Sequence, residues 1–315
     1  MPADSLPELG LGCWQFAGTF GFWEGQARED SIRTVHAALR SGVRHFDTAQ
    51  SYGNGRSEQL LGQQLRRFRT EFPRQTLTIA TKIMPMPPHR IRAAIETSLR
   101  RLCAPYLDIL YLHWPDSRCD ALPLLEAMRA AQAEGLVRQI GVSNFPPALL
   151  EQVYEQVPLN WVQCAGSLLW TRNLSCTLDF CQSRNIRTAI YSPLGMGLLS
   201  GRYRTTDDLP KGDARRSLFC FQEECRESWN GLLDTLLACS GRMGCTPGQL
   251  ALAWTFAQNV SVVIGGARNK LQLAQNLAAK ELVIPPDTMS ELSVAAHNLE
   301  RDTPPRQDNI FGHIW

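Results

Sequence analysis

The chain has 315 residues, and its 32 lysines and arginines nearly balance its 30 aspartates and glutamates. With 44% hydrophobic and 20% charged residues, the composition is that of a soluble globular protein and excludes collagen-like, acidic-disordered and low-complexity classes. A formal net charge of +2 gives no basic stripe for nucleic acid, and no apolar run approaches the roughly 18 residues that span a membrane.

The first ten residues and the cysteines both indicate a reducing compartment. The N-terminus has no basic region followed by an apolar one, so we expect a cytoplasmic protein. Ten cysteines are scattered without CxxC pairs, which predicts reduced thiols acting as small hydrophobic residues, with neither disulfides nor a metal site. Cys220 and Cys225 lie in a polar stretch and are the candidates for reactive thiols.

Strand and helix patterns alternate along the chain. Eight short β-rich runs begin near Leu9, Val43, Thr76, Leu107, Val137, Trp161, Arg187 and Ser261. Amphipathic segments lie between most of them, for example over 30–41, 57–68, 90–102 and 121–134, at the roughly 30-residue repeat of a βα unit. An open doubly wound sheet would carry a GxGxxG turn after its first strand, and this chain has only Gly10-Leu11-Gly12 there. The pattern favours a (β/α)8 TIM barrel, as a single domain over 1–315.

The repeat is interrupted once, after the seventh strand. The stretch 202–226 is polar and contains proline and glycine, and a helix is predicted from about 228 to 238. Loops of this length are usually functional lids or disordered. The charged cluster 211–216 inside it is interpreted as a solvated loop. A second addition is the C-terminal tail, which has a predicted helix near 288–299 and ends in Ile314-Trp315.

Ionisable residues follow three of the predicted strands, where the active site of a barrel is built. Asp47 and Tyr52 follow the second strand, Lys82 ends the third and His113 ends the fourth. A buried Asp47 carboxylate should pair with the Lys82 ammonium, because each charge alone would be costly. The positive charge is then expected to lower the pKa of Tyr52, which donates a proton, while His113 gives a second hydrogen bond to the same substrate oxygen.

Several ordered motifs make the chain similar to the aldo-keto reductases over almost its whole length. They are FDTAQSYGNGRSE, the ATK strand end, LHWP, GVSNF, YSPLGMGLLSGRY and VVIGGARNKLQLAQNL. The resemblance implies that Asp47, Tyr52, Lys82 and His113 are the catalytic tetrad. Relatives with glutamate at the histidine position reduce C=C bonds, so His113 implies reduction of carbonyl groups.

The resemblance also implies a nicotinamide cofactor held without a Rossmann fold. Ser143, Asn144 and Gln163 should hold its carboxamide, and Tyr191 should stack on its ring. Ser192, Leu194 and Gly195 should border the pyrophosphate, with Arg202 near it. At the end of the last strand, space for close approach of the backbone should be left by Gly265, Gly266 and Ala267. The adenosine end should be faced by Arg268, Gln272 and Asn276. Because a guanidinium suits a 2′-phosphate, Arg268 favours NADPH over NADH.

Other interpretations stay open at this point. Trp23 and Trp114 are predicted to line an apolar substrate pocket, although either could pack under loops. His45 is interpreted as structural. The small-molecule partner is a carbonyl or alcohol, and no nucleic acid or membrane partner is predicted. Alternatives to a reductase are a sugar or polyol dehydrogenase using NAD(P)+, a cofactor-binding regulatory β-subunit-like protein, and an aldolase using Lys82 as a Schiff-base nucleophile.

Overall fold

Eight parallel strands close into a barrel in chain order, in a computed structural model that describes residues 8–18, 23 and 25–304. The strands are β1 Glu8–Gly12, β2 His45–Asp47, β3 Thr78–Ile83, β4 Leu107–Leu112, β5 Val137–Ser143, β6 Trp161–Ala165, β7 Arg187–Tyr191 and β8 Val262–Gly266. Pairing of β1 with β8 from Glu8–Val262 to Gly12–Gly266 closes the ring. The predicted (β/α)8 class and all eight strands are confirmed.

Helices surround the barrel between successive strands. They are α1 Arg28–Arg40, α2 Arg56–Arg67, α3 Ile91–Leu102, α4 Ala121–Ala133, α5 Pro147–Tyr154, α6 Arg172–Ser183, α7 Arg226–Arg242, α8 Pro247–Phe256, α9 Lys270–Ala279 and α10 Pro286–Asp302. The apolar stripe of α2 is buried in the main core, and its Leu61 has no exposed surface. In α8, Pro247 occupies the first turn and Thr246 forms a capping box with Gln249, which fixes where the helix begins.

The period of two along each strand divides the barrel wall into an inner and an outer face. Inner positions of β3, β4 and β6 to β8 form one apolar cluster: Ala80, Ile109, Tyr111, Trp161, Ala189, Val262 and Ile264. Gly141 allows the close approach of Trp161, because a Cβ on this glycine would lie 2.4 Å from the Trp161 carbonyl oxygen and 2.9 Å from the Trp161 Cβ. The lower interior is therefore a packed core.

The long segment between β7 and α7 is structured along its length. It folds as consecutive short 3₁₀ turns that bury Phe219 and Cys220 against Trp229 of α7. Asp213 and Arg215 form an ion pair with side chains only 10% and 15% exposed, so the interpretation of 211–216 as a solvated loop is wrong for these two residues. The alternatives of a functional lid or a disordered loop came from the length of this segment, which does not show that Leu218, Phe219 and Cys220 are buried.

The two thiols singled out in this segment are inaccessible. Cys220 and Cys225 have no exposed surface, and burial raises the pKa of both thiols. Their interpretation as reactive cysteines is wrong, because a buried thiol is seldom ionised and only the thiolate is a good nucleophile.

The tail helix α10 packs against α7. Leu292 and Leu299 are buried in this contact, and Arg242 of α7 donates to Glu291 at 2.7 Å. The predicted terminal pair Ile314-Trp315 lies outside the described residues, as do positions 19–22 and 24 of the loop after β1. Of the helices in the described ranges, none has the length and apolar character needed to cross a membrane.

Candidate active site

The strand ends bring the four predicted catalytic residues to one rim of the barrel. Asp47 is the last residue of β2, Lys82 lies near the end of β3 and His113 directly follows β4. The backbone ladder extends past the strands, since the His113 amide donates to the Ile83 carbonyl at 2.8 Å. Tyr52 comes from the loop after β2. Gly53 follows it at φ +60°, where a Cβ would lie 2.9 Å from the Ala17 carbonyl oxygen, so the close approach of the loop to that segment requires glycine.

Asp47 and Lys82 form a buried ion pair at the centre of this rim. Their side chains are 3% and 1% exposed, and Lys82 Nζ donates to Asp47 Oδ1 and, at 2.8 Å, to the Thr48 carbonyl. Gln163 Nε2 donates to the other carboxylate oxygen at 2.9 Å. Burial lowers the pKa of Lys82, and the attraction of Asp47 opposes that effect. The pairing that the sequence predicts is present.

The pKa of Tyr52 is shifted in the direction opposite to the prediction. Burial, followed by repulsion from Asp47, raises the pKa of Tyr52 well above its usual range, whereas the sequence argument expects Lys82 to lower it. The ammonium is neutralised by Asp47 and contacts the phenol oxygen only at 3.5 Å, so it does not offset the lost hydration. Tyr52 therefore carries its proton at neutral pH.

The histidine is neutral and its orientation is fixed. Burial, and then the positive charge of Lys82, lowers the pKa of His113 well below its usual range. Nδ1 lies 3.3 Å from Ser51 Oγ, and the backbone carbonyl accepts from Asn144 Nδ2 at 3.0 Å. In the tautomer in which Nδ1 accepts from the Ser51 hydroxyl, Nε2 carries the proton and can serve as a donor.

Aromatic rings extend on both sides of Tyr52 and His113. Trp14 stacks on Tyr52 with centroids 6.0 Å apart, and Trp23 meets Trp14 edge-on at 5.4 Å. Trp114 lies beside His113 with centroids 6.2 Å apart and is 6% exposed. The sequence-predicted pocket residues are thus connected to the site through neighbouring rings, Trp23 through Trp14 and Trp114 through His113, and the Tyr52 and His113 centroids lie 5.8 Å apart.

The predicted carboxamide-binding residues adjoin the ion pair. Asn144 Nδ2 donates to Ser143 Oγ at 3.0 Å, and Tyr191 donates to Asn144 Oδ1 at 2.5 Å. Asn144 has φ +65°, a left-handed conformation that asparagine tolerates better than most residues. Gln163 joins this group to Asp47. The set combines hydrogen-bond donors and acceptors, as binding of an amide requires.

The loop after β7 turns repeatedly through left-handed backbone. Ser192, Gly195, Met196 and Gly197 have φ of 54°, 53°, 54° and 90°. Successive amide groups in such turns form concave sites for anions, which suits a pyrophosphate. Leu194 is half-buried within the loop, and Arg202 is exposed beyond Gly201.

Arg215 is a neighbour of this loop that the sequence argument missed. Its Nη1 donates to the Met196 carbonyl at 2.9 Å. The available signal was the spacing of Asp213 and Arg215, which allows the aspartate to hold the guanidinium through two hydrogen bonds.

The end of β8 gathers the residues predicted for the adenosine. The Arg268 amide donates to Gln272 Oε1 at 2.8 Å, and Asn276 Nδ2 donates to the Gly266 carbonyl at 3.0 Å. Gly266 is exposed at this rim. The prediction that Gly265 leaves space at the cofactor site is wrong. A Cβ at this position would lie 3.1 Å from Leu9 Cδ1 and 3.3 Å from Asn276 Nδ2. Gly265 faces outward and allows packing of α9, and so it leaves no space for a ligand.

His45 lies inside the barrel two residues below Asp47. It is 1% exposed, and its ring centroid lies 6.1 Å from that of Trp161. Its Nε2 has no hydrogen-bond partner among the residues that the structure describes. Burial lowers its pKa from 6.5 to about 4. His45 therefore packs in the barrel interior beneath the polar rim, as the structural interpretation expects.

His45 should make the protein less stable in mild acid. Below pH 6.5, His45 binds a proton in the unfolded chain, whereas the buried ring of the folded protein does so only below about pH 4. The free energy of unfolding therefore falls as the pH decreases from 6.5 to 4. At pH 5 the loss from His45 is about 2 kcal/mol. Urea denaturation at pH 7 and at pH 5 measures this loss. Between the two pH values, the free energy of unfolding of His45→Gln should fall by about 2 kcal/mol less than that of the unaltered protein. A variant of the exposed His89 should lose as much as the unaltered protein. Equal losses in His45→Gln and the unaltered protein would contradict this assignment.

Known proteins resemble this chain in sequence and in fold. The sequence model of the aldo/keto reductase family matches residues 8–296. The chain is 29% identical to probable aldo-keto reductase 1 of Glycine max over 287 residues, which cover 87% of this chain and 81% of that protein. The glycerol dehydrogenase of Gluconobacter oxydans superposes with a TM-score of 0.79 at 27% identity, covering 96% and 94% of the two chains. An aldo-keto reductase of Klebsiella pneumoniae in complex with NADPH gives 0.71 at 26% identity, covering 96% and 93%.

Proposed function

Because the chain belongs to the aldo-keto reductase family, whose members are oxidoreductases acting on carbonyl and alcohol groups, we propose that it reduces aldehydes and ketones to alcohols with NADPH. The observation that carries the proposal is the convergence of Tyr52 and His113, with ring centroids 5.8 Å apart, beside the buried Asp47–Lys82 pair. NADP+ or NADPH is present in two solved relatives from Klebsiella pneumoniae, at 25% and 26% identity.

The residues around the rim suit this cofactor. Ser143, Asn144 and Gln163 offer the donors and acceptors for its carboxamide, with Tyr191 beside them, and the left-handed turns at Ser192 and Gly195 offer amides for its pyrophosphate. Leu194 and Arg202 border the same loop. Arg268 with Gln272 and Asn276 receives the adenosine end at Gly266. When bound, NADPH supplies the hydride.

In this mechanism, Tyr52 protonates the substrate oxygen. Its raised pKa keeps the proton in place until negative charge develops on that oxygen, and His113 Nε2 donates a second hydrogen bond there. Lys82 Nζ, 3.5 Å from the Tyr52 oxygen, stabilises the phenolate left behind. Asp47 holds the ammonium in position, and Gln163 holds Asp47. Trp23 and Trp114 line an apolar substrate pocket.

A carbonyl panel assayed with NADPH and NADH side by side tests this function. We expect oxidation of NADPH with aldehydes, at a kcat/KM about tenfold or more above that with NADH, because a bidentate arginine–phosphate contact is worth roughly 1.5–3 kcal/mol. Absence of turnover across aldehydes and ketones with either cofactor would contradict it.

A polyol dehydrogenase is the second candidate. It is supported by the similarity to the glycerol dehydrogenase of Gluconobacter oxydans, at a TM-score of 0.79. Oxidation of polyols or aldoses with NADP+ and NAD+, compared at the same pH with aldehyde reduction, separates the two. The aldolase alternative is disfavoured, because Lys82 is held in an ion pair and a Schiff base needs a free amine.

A further inference from the structure

Gln26 holds Arg268 from the opposite end of the chain. Gln26 lies between β1 and α1, and 242 positions separate it from Arg268. Arg268 Nε donates to Gln26 Oε1 at 2.9 Å, and Gln26 Nε2 donates back to the Arg268 carbonyl at 2.9 Å. One side-chain amide therefore fixes both the guanidinium and the main chain of the same residue.

Both partners are themselves anchored. Gln26 Nε2 lies 3.1 Å from Ser31 Oγ, at the start of α1. On the other side, the Arg268 amide donates to Gln272 Oε1 in α9, and Asn269 caps that helix by accepting from two of its amides. Arg268 is thus connected to the start of α1 through its guanidinium and Gln26, and to α9 through its backbone amide.

A fixed arginine binds an anion more tightly than a mobile one. An arginine side chain has about 2 kcal/mol of rotamer entropy, which binding must otherwise remove. A phosphate is gripped best by two parallel N–H groups of one planar guanidinium. Once Nε is bonded to Gln26, the plane of that group is set before any ligand arrives, which lowers the entropic cost of binding.

We infer that Gln26 is a positioning residue that gives the protein its preference for NADPH over NADH, by orienting Arg268 toward the 2′-phosphate. This inference rests on the proposed function. Gln26 itself need not touch the cofactor. The effect is specific for the 2′-phosphate, because NADH lacks the group that an oriented guanidinium would grip.

Dissociation constants of NADPH, NADH and adenosine 2′,5′-bisphosphate test the inference. With Gln26→Ala, we expect NADPH and the bisphosphate to bind about tenfold more weakly, while NADH changes less than about twofold. Gln26→Glu should also lose the preference, because a carboxylate beside Arg268 neutralises the guanidinium. The matched control is Gln59→Ala, an exposed glutamine of α2, which should change none of the three constants.

Three outcomes would count against these statements, and they are distinguishable. Equal weakening of NADPH and NADH in Gln26→Ala, with or without a lower melting temperature, would make Gln26 merely structural and overturn the inference. Unchanged constants in both variants would overturn it as well. Failure of the unaltered protein to bind NADPH and the bisphosphate would overturn the proposed function itself.

Discussion

Replacing Tyr52 by phenylalanine should lower kcat/KM for aldehyde reduction by about 10²- to 10⁴-fold, the usual effect of removing a general acid. The substitution removes a single oxygen, and Trp14 can still stack on the remaining ring. Because the lost group acts on the developing charge, the decrease should appear in kcat, with NADPH affinity changed little. Steady-state kinetics and a separate NADPH titration measure the two effects.

The control for this prediction is Tyr154→Phe in α5, a half-buried tyrosine whose ring packs edge-on against Phe180. It should retain nearly full activity. If Tyr52→Phe reduced aldehydes at a rate close to that of the control, another group would be the proton donor.

Breaking the Asp47–Lys82 pair should reduce stability as well as activity. Lys82→Met leaves a carboxylate buried with no opposite charge, and removal of one partner from such a pair usually costs about 3–5 kcal/mol. Activity should fall because the Tyr52 oxygen loses its neighbouring cation. Urea denaturation gives the free energy of unfolding, and kcat/KM for an aldehyde gives the effect on catalysis.

The double variant Asp47→Asn/Lys82→Met separates the two effects. With both charges removed, most of the lost stability should return, since an uncharged pair has no buried charge to compensate, and the new amide oxygen can still accept from Gln163. Activity should remain low. Arg33→Met, which breaks an exposed pair with Asp30, should hardly change stability. A double variant less stable than Lys82→Met alone would contradict this account of the pair.

The sequence predicted the position of the site because position depends on periodicity. Strands that repeat about every 30 residues place Asp47, Lys82 and His113 at carboxyl ends, and parallel strands bring those ends to one rim. The ion pair then follows from the cost of burying either charge alone. These predictions need only chain order and the chemistry of the residues.

The errors come from properties that depend on three-dimensional packing. The pKa of Tyr52 is set by how much water surrounds the phenol, which the motif around it does not encode. Gly265 faces outward because of its register in β8, one residue away from the inward Gly266. Gln26 and Arg268 meet across 242 positions, and no local pattern marks such a contact.

In the proposed function, hydride passes from NADPH to a carbonyl carbon at this rim. The most direct measurement uses NADPH carrying deuterium on the transferred face of the nicotinamide C4, an aldehyde and the unaltered protein, followed by mass spectrometry of the alcohol. We expect one deuterium on the carbinol carbon for each NADPH oxidised. Alcohol without deuterium at that carbon, or no oxidation of NADPH, would contradict it.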